Sequence, residues 1–76
     1  MSKAEKLLAK ALKNPGSLSY KEFVTLLQRS GWEKVRQVGS HEQWVWQGNP
    51  LTINNRKGEA VEYQVKQFLA TRWGDK

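Results

Sequence analysis

The chain has 76 residues and carries 13 Lys and Arg against seven Asp and Glu, a formal net charge of +6. A chain this short forms one domain, residues 1–76, and buries only about 60% of the surface that its unfolded form exposes. The charge favours a polyanionic partner, either nucleic acid or an acidic protein surface. The absence of cysteine excludes disulfides and Cys-based zinc sites.

No apolar run approaches the roughly 20 residues of a membrane span, and the first residues lack the apolar segment of a signal peptide. We therefore expect a cytoplasmic protein without a membrane partner.

Two helices are predicted before residue 31. A capping box of Ser2 with Glu5 begins the first, over residues 3–13, and Asn14-Pro15-Gly16-Ser17 ends it. Residues 1–17 thus form an additional N-terminal helix and turn. Its apolar stripe comprises Ala4, Leu7, Leu8, Ala11 and Leu12.

The second helix, from about Tyr20 to Ser30, has the best-marked start in the chain. Ser19 and Glu22 form a capping box, and Leu18 and Phe23 occupy the positions of a hydrophobic staple. Gly31 is placed to end the helix in the left-handed conformation. The apolar stripe comprises Tyr20, Phe23, Val24 and Leu27.

Three short strands follow, typical of an antiparallel meander. They cover residues 33–38, 42–47 and 51–53, with turns at Gly39-Ser40 and Gly48-Asn49-Pro50. Alternation along the second strand puts Trp44 and Trp46 on one face and His41 on the other. If the tryptophans face the helices, His41 lies on the open face.

A polar loop over residues 54–59 precedes a last helix, from Val61 or Glu62 to Trp73, which Gly74 ends. Its inward positions are Val61, Val65, Phe68, Leu69 and Trp73. The order α-α-β-β-β-α, with helices on one face of an antiparallel sheet, predicts an α+β sandwich.

His41 is the only histidine, and no other side chain here has an unperturbed pKa near neutrality. Proton transfer at physiological pH would most simply use it, although a single histidine is more often structural. Ser40 is interpreted as a turn residue or a hydrogen-bond donor to phosphate. Glu42 could act as a general base, but a single strand carboxylate is interpreted as a solvated surface group. One histidine without a carboxylate cluster supports no metal site.

Three cations are candidate phosphate partners. Arg36 precedes the turn on the neighbouring strand, and Arg56 and Lys57 follow the third strand. Positive charge stabilises the negative oxygens of a phosphate group, and arginine binds phosphate in a bidentate manner. Trp44 and Trp46 could stack on bases, but packing in so small a core is the favoured role.

Residues 20–73 resemble the HicA family, the toxins of bacterial HicA/HicB toxin–antitoxin pairs. The resemblance rests on three segments: Ser30-Gly31-Trp32 after a capped helix, residues 35–41 ending in Gly39-Ser40-His41, and Lys57-Gly58-Glu59-Ala60 followed by residues 63–69. It implies a fold like the double-stranded RNA-binding domain, ribonuclease activity on mRNA with His41 catalytic, and neutralisation by a HicB antitoxin. Because the residues support no metal site, we expect this activity to be metal-independent and to need no cofactor.

This chain departs from the family pattern at two positions. Many members carry further histidines where Glu42 and Arg56 stand. The alternatives to a toxin nuclease are a non-catalytic RNA-binding module and a degenerate toxin that acts as a protein-interaction domain.

Overall fold

A computed structural model describes residues 3–73, and the order of its elements is the predicted α-α-β-β-β-α. The α-helices are α1 (Lys3–Lys13), α2 (Tyr20–Arg29) and α3 (Glu62–Trp73), and a 3-10 helix, Pro15–Ser17, links the first two. The strands are β1 (Glu33–Val38), β2 (His41–Trp46) and β3 (Asn49–Asn54). The predicted cap Ser2, the stop signal Gly74 and the side chain of Trp73 lie outside the described residues.

The three strands form one antiparallel sheet in the order β1-β2-β3, joined by two-residue turns. Gly39 takes a positive φ of 61° at the first position of the β1–β2 turn, as in a type II′ turn. The predicted turn at Gly48-Asn49-Pro50 is wrong, because it begins one residue too late and ends two residues too late. The turn is Gln47-Gly48, with φ of 48° and 79°, and β3 begins at Asn49.

The ends of α2 form as predicted, because short-range hydrogen bonds determine them. The Ser19 side chain accepts from the amide of Glu22, whose side chain accepts in return from the amide of Ser19. At the other end, Gly31 has φ of 94°, and the amide of Trp32 donates to Leu27 O at 3.0 Å. This is a Schellman motif, which turns the chain directly from α2 into β1.

The core lies between the helices and one face of β2 and β3. Phe23 of α2 and Phe68 of α3 are both fully buried and meet edge to face, with ring centroids 5.9 Å apart. Trp44 is buried, and Trp46 packs at the margin by stacking on Trp32 at 6.0 Å. The two β2 tryptophans therefore pack as predicted.

The predicted apolar stripes need two corrections. Leu12 is 58% exposed, because α1 meets its neighbours mainly through Leu7 and Ala11, which are buried. Leu26, absent from the predicted α2 stripe, is buried at 1% exposure. A helix covered on more than one side buries a wider arc than a single stripe.

Candidate nucleic-acid interface

His41 is the first residue of β2 and is exposed on the open face of the sheet. Glu42 and Trp44, at the first and third positions after His41, face the helices on the opposite side of the sheet and are buried. The alternation predicted from the tryptophans is thus confirmed. The Gly39-Ser40 turn, directly before β2, places the histidine at the end of the sheet where β3 ends.

An open groove of about 400 Å³ runs along the edge of β3 that β2 does not pair, between that strand and α3. His41 and Asn54 stand at one end of it as cross-strand partners. Its lining is mixed polar and apolar and comprises His41, Pro50, Leu51, Thr52, Asn54, Tyr63, Gln64 and Gln67. The volume lies within the range of about 300–1,000 Å³ that is typical of ligand clefts.

A chain of hydrogen bonds connects His41 to α3. Gln64 Oε1 accepts from the backbone amide of Asn54 at 2.9 Å, and Gln64 Nε2 donates to Asn54 Oδ1 at 2.8 Å. Asn54 Nδ2 then lies 3.0 Å from His41 Nδ1. Gln64 is buried at 8% exposure, so the side chain that supports the imidazole is itself held in the protein interior.

Tyr63, the residue before Gln64, is shared between this groove and a second one. It is 62% exposed, and beyond it the second groove is lined by Arg56, Val61, Glu62, Tyr63 and Lys66. A large exposed ring between an imidazole on one side and cations on the other is suited to a stacked base with flanking phosphates.

Arg56 is held in a small hairpin. Its amide and carbonyl exchange hydrogen bonds of 3.0 Å with those of Glu59, across a turn in which Lys57 and Gly58 both have positive φ. The Gly58 carbonyl accepts from the amide of Tyr20 at 2.9 Å, which fastens this hairpin to the start of α2. Lys57 is exposed at the tip and lines neither groove.

The other two predicted RNA-binding residues lie outside the grooves. Arg36 is opposite Gln43 in the β1–β2 ladder, so it shares the open face with His41, but it lies on β1, which β2 separates from β3 and the groove. A β-bulge between Lys34 and Arg36 precedes it. Ser40 is exposed in the turn that leads into β2. The structure therefore brings His41 and Arg56 to the two grooves and leaves Arg36, Ser40 and Lys57 outside both linings.

The interpretation of Glu42 as a solvated carboxylate is wrong. Its side chain is buried at 6% exposure and accepts hydrogen bonds from the Tyr20 hydroxyl and, at 3.1 Å, from Trp44 Nε1. Burial, together with the hydrogen bond and charge of Glu42, raises the pKa of Tyr20 to about 12. Glu42 faces away from His41 and supports the fold beneath the site.

Sequence reasoning missed Asn54, Gln64 and Tyr63. Gln64 alone left a signal, since it falls three residues after Val61 on the inward side of α3, where an apolar residue is expected. A polar side chain at such a position needs a partner, which here is Asn54. Tyr63 lies in a segment that carries the family resemblance, but its exposure between two grooves follows only from the tertiary structure.

Within residues 3–73, no three His, Asp or Glu side chains come together as metal ligands. Among the same residues, no helix is both long and apolar enough to cross a membrane.

The fold is the α+β arrangement of the double-stranded RNA-binding domain type, with helices on one face of a three-stranded antiparallel sheet. A sequence model of the family described as the HicA toxin of bacterial toxin-antitoxin systems matches residues 20–71, which run from the start of α2 into the last turn of α3. The chain belongs to this family. Searches of curated proteins and of solved structures gave no significant match.

Proposed function

We propose that this protein is an RNA endonuclease toxin that cleaves mRNA in the cytoplasm and is neutralised by a HicB-like antitoxin. The observation that carries the proposal is the position of His41. In a chain of the HicA toxin family, the one imidazole is exposed at the end of a groove and is oriented by Asn54, which the buried Gln64 holds in turn.

The proposed reaction is attack of the RNA 2′-oxygen on the adjacent phosphorus, with cleavage of the bond from phosphorus to the 5′-oxygen. One proton leaves the 2′-hydroxyl and another reaches the departing oxygen, so the products are a 2′,3′-cyclic phosphate and a 5′-hydroxyl. His41 handles one of these transfers and solvent water handles the other. No metal ion takes part in this scheme.

The two grooves suggest a path for the RNA strand. A phosphodiester at His41 would leave the neighbouring base beside Tyr63, and the next phosphate beside Arg56 and Lys66 of the second groove. Stacking on an exposed aromatic ring contributes about 1–3 kcal/mol per base and is tolerant of sequence. Arg36 and Lys57, with the exposed turn at Ser40, extend the positive surface around this path.

Purified protein should cleave single-stranded RNA in EDTA, release cyclic phosphate termini and leave DNA intact, because DNA lacks the 2′-hydroxyl. His41→Gln should keep the fold and RNA affinity while losing at least about 10²-fold in rate, the lower end of general acid–base catalysis. Full activity of this variant, or loss of wild-type cleavage on chelation, would contradict the proposal.

The second groove, which Arg56 and Lys66 line, also suits a non-catalytic RNA-binding module. RNA binding without any cleavage by wild-type protein would support that function. A degenerate toxin that acts only through protein contacts would bind RNA weakly and cause no growth arrest on expression. Growth arrest that a co-expressed HicB-like partner relieves would support the toxin.

A further inference from the structure

The hydrogen-bond chain behind His41 has a direction that one backbone group determines. A backbone N–H can only donate, so the amide of Asn54 requires an acceptor, which is Gln64 Oε1 at 2.9 Å. The other end of that side-chain amide is then Nε2, a donor, and its partner at 2.8 Å must be Asn54 Oδ1. The remaining Asn54 atom, Nδ2, therefore presents hydrogen to His41 Nδ1 at 3.0 Å.

This direction selects one form of the imidazole. A ring nitrogen that accepts from Asn54 Nδ2 carries no proton, so the neutral ring holds its proton on Nε2. We infer that Asn54 and Gln64 are positioning residues, which hold His41 as the Nε2–H tautomer and so present an N–H donor, rather than a basic nitrogen, to an RNA phosphate. Of the two proposed proton transfers, His41 then serves the one at the departing 5′-oxygen, and solvent water takes the proton of the 2′-hydroxyl.

The supporting residues are placed by the fold and do not depend on a flexible surface contact. Asn54 is the direct cross-strand partner of His41, and its neighbour Ile53 is fully buried. Gln64 precedes the fully buried Val65 on α3. The role in RNA cleavage rests on the proposed function, whereas the tautomer is a property of the protein alone.

Two single-atom exchanges should reverse the tautomer. In Asn54→Asp, a carboxylate oxygen replaces Nδ2 and can only accept, so the ring should move its proton to Nδ1. In Gln64→Glu, both side-chain oxygens accept, which turns the Asn54 amide so that its Oδ1 faces the ring. The same Nδ1–H form is therefore expected from two separate positions. The matched control is Gln67→Glu, which adds the same charge to the same groove outside the hydrogen-bond chain.

The tautomer is read from the 15N shifts of the two ring nitrogens and their couplings to the carbon-bound ring protons, at a pH where the ring is neutral. With one histidine in the chain, the assignment is unambiguous. We expect Nε2–H in the wild type and in Gln67→Glu, and Nδ1–H in the other two variants. A histidine side chain without hydrogen-bond partners also favours the Nε2–H tautomer, so the wild-type result alone does not test the proposal. The reversal of the tautomer in the two variants does. Backbone amide spectra show whether each variant is folded, and Asn54→Asp, at a less buried position, serves if Gln64→Glu does not fold.

Cleavage rates at saturating RNA complete the test. Asn54→Asp should be about 10²-fold slower than Gln67→Glu, since the reversed ring no longer offers N–H at Nε2. A wild-type ring protonated on Nδ1, or an unchanged tautomer in folded Asn54→Asp, would overturn the positioning. Reversal with a rate equal to that of Gln67→Glu would overturn its role in cleavage. A wild type with the expected tautomer but no cleavage would instead refute the proposed function.

Discussion

Replacing Glu42 by alanine should destabilise the protein, because the Tyr20 hydroxyl and Trp44 Nε1 both lose their hydrogen-bond acceptor. Trp44 Nε1 is buried, and stranding a buried donor costs about 1–3 kcal/mol. The hydroxyl of Tyr20, on a half-buried side chain, regains some hydration in the variant. Loss of its hydrogen bond to Glu42 therefore adds only about 1 kcal/mol. We expect the free energy of unfolding to fall by about 2–4 kcal/mol in total.

That loss is a large share of the stability of a domain of this size. At about 0.05–0.15 kcal/mol per residue, 76 residues give roughly 4–11 kcal/mol. The variant should therefore remain folded in water but unfold at a much lower urea concentration. Tryptophan fluorescence and circular dichroism in urea measure the change, and Glu33→Ala, an exposed carboxylate on β1, is the matched control, expected within about 0.5 kcal/mol of wild type.

A double-mutant cycle with Tyr20→Phe isolates the hydrogen bond between Tyr20 and Glu42. Because the two side chains are in direct contact, the effects of the single substitutions should fail to add, with a coupling of about 0.5–3 kcal/mol. A Glu42→Ala variant as stable as Glu33→Ala would refute the reasoning, and would mean that the carboxylate is solvated.

Four further outcomes follow from the structure. Phe23→Ala should cost about 3–5 kcal/mol, because it empties a fully buried site and removes the edge-to-face contact with the α3 phenylalanine; a loss under 1 kcal/mol in a urea melt would contradict this packing. The stability that wild type gains over Tyr20→Phe should be complete below pH 10 and be lost as the pH rises through about 12, because the folded protein raises the pKa of this phenol above 10.0; urea melts at pH 8 and pH 11 compare the two. Removing Arg56 and Lys57 together should flatten the log–log salt dependence of RNA binding by one to two contacts, at about 0.7 per contact, whereas an unchanged slope would place the phosphates elsewhere. Tyr63→Ala should weaken binding of single-stranded RNA by about 5- to 150-fold, while Tyr63→Phe, which keeps the ring, should bind like wild type in the same titration.

The elements predicted correctly from sequence are those that short-range chemistry determines. The capping box and Schellman motif at the ends of α2 involve residues at most five positions apart, so the sequence shows both partners together. Strand alternation likewise put His41 on the open face. The error at the β2–β3 turn arose because Gln47, a residue that seldom adopts positive φ, does so here beside Gly48.

The site was less predictable because its partners are distant in sequence. Glu42 lies 22 residues from the Tyr20 hydroxyl that it binds, and Gln64 lies ten residues from Asn54. The groove at His41 exists because α3 passes beside the free edge of β3, and strand patterns carry no information about that placement. The histidine was predicted from its own chemistry, while its supporting residues required the tertiary structure.

All six residues of β1 are exposed, so neither face of this strand is covered by a helix. Its attachment depends on the ladder to β2, which is itself interrupted by the bulge before Arg36. β2 and β3, in contrast, are secured by the buried Trp44 and Ile53. We therefore expect local opening to begin at β1, with its amides exchanging with solvent before those of the other strands. His41 and Asn54 then keep their geometry while Arg36 moves with the opening strand, so the proposed cleavage site is rigid at its centre and adjustable along one margin.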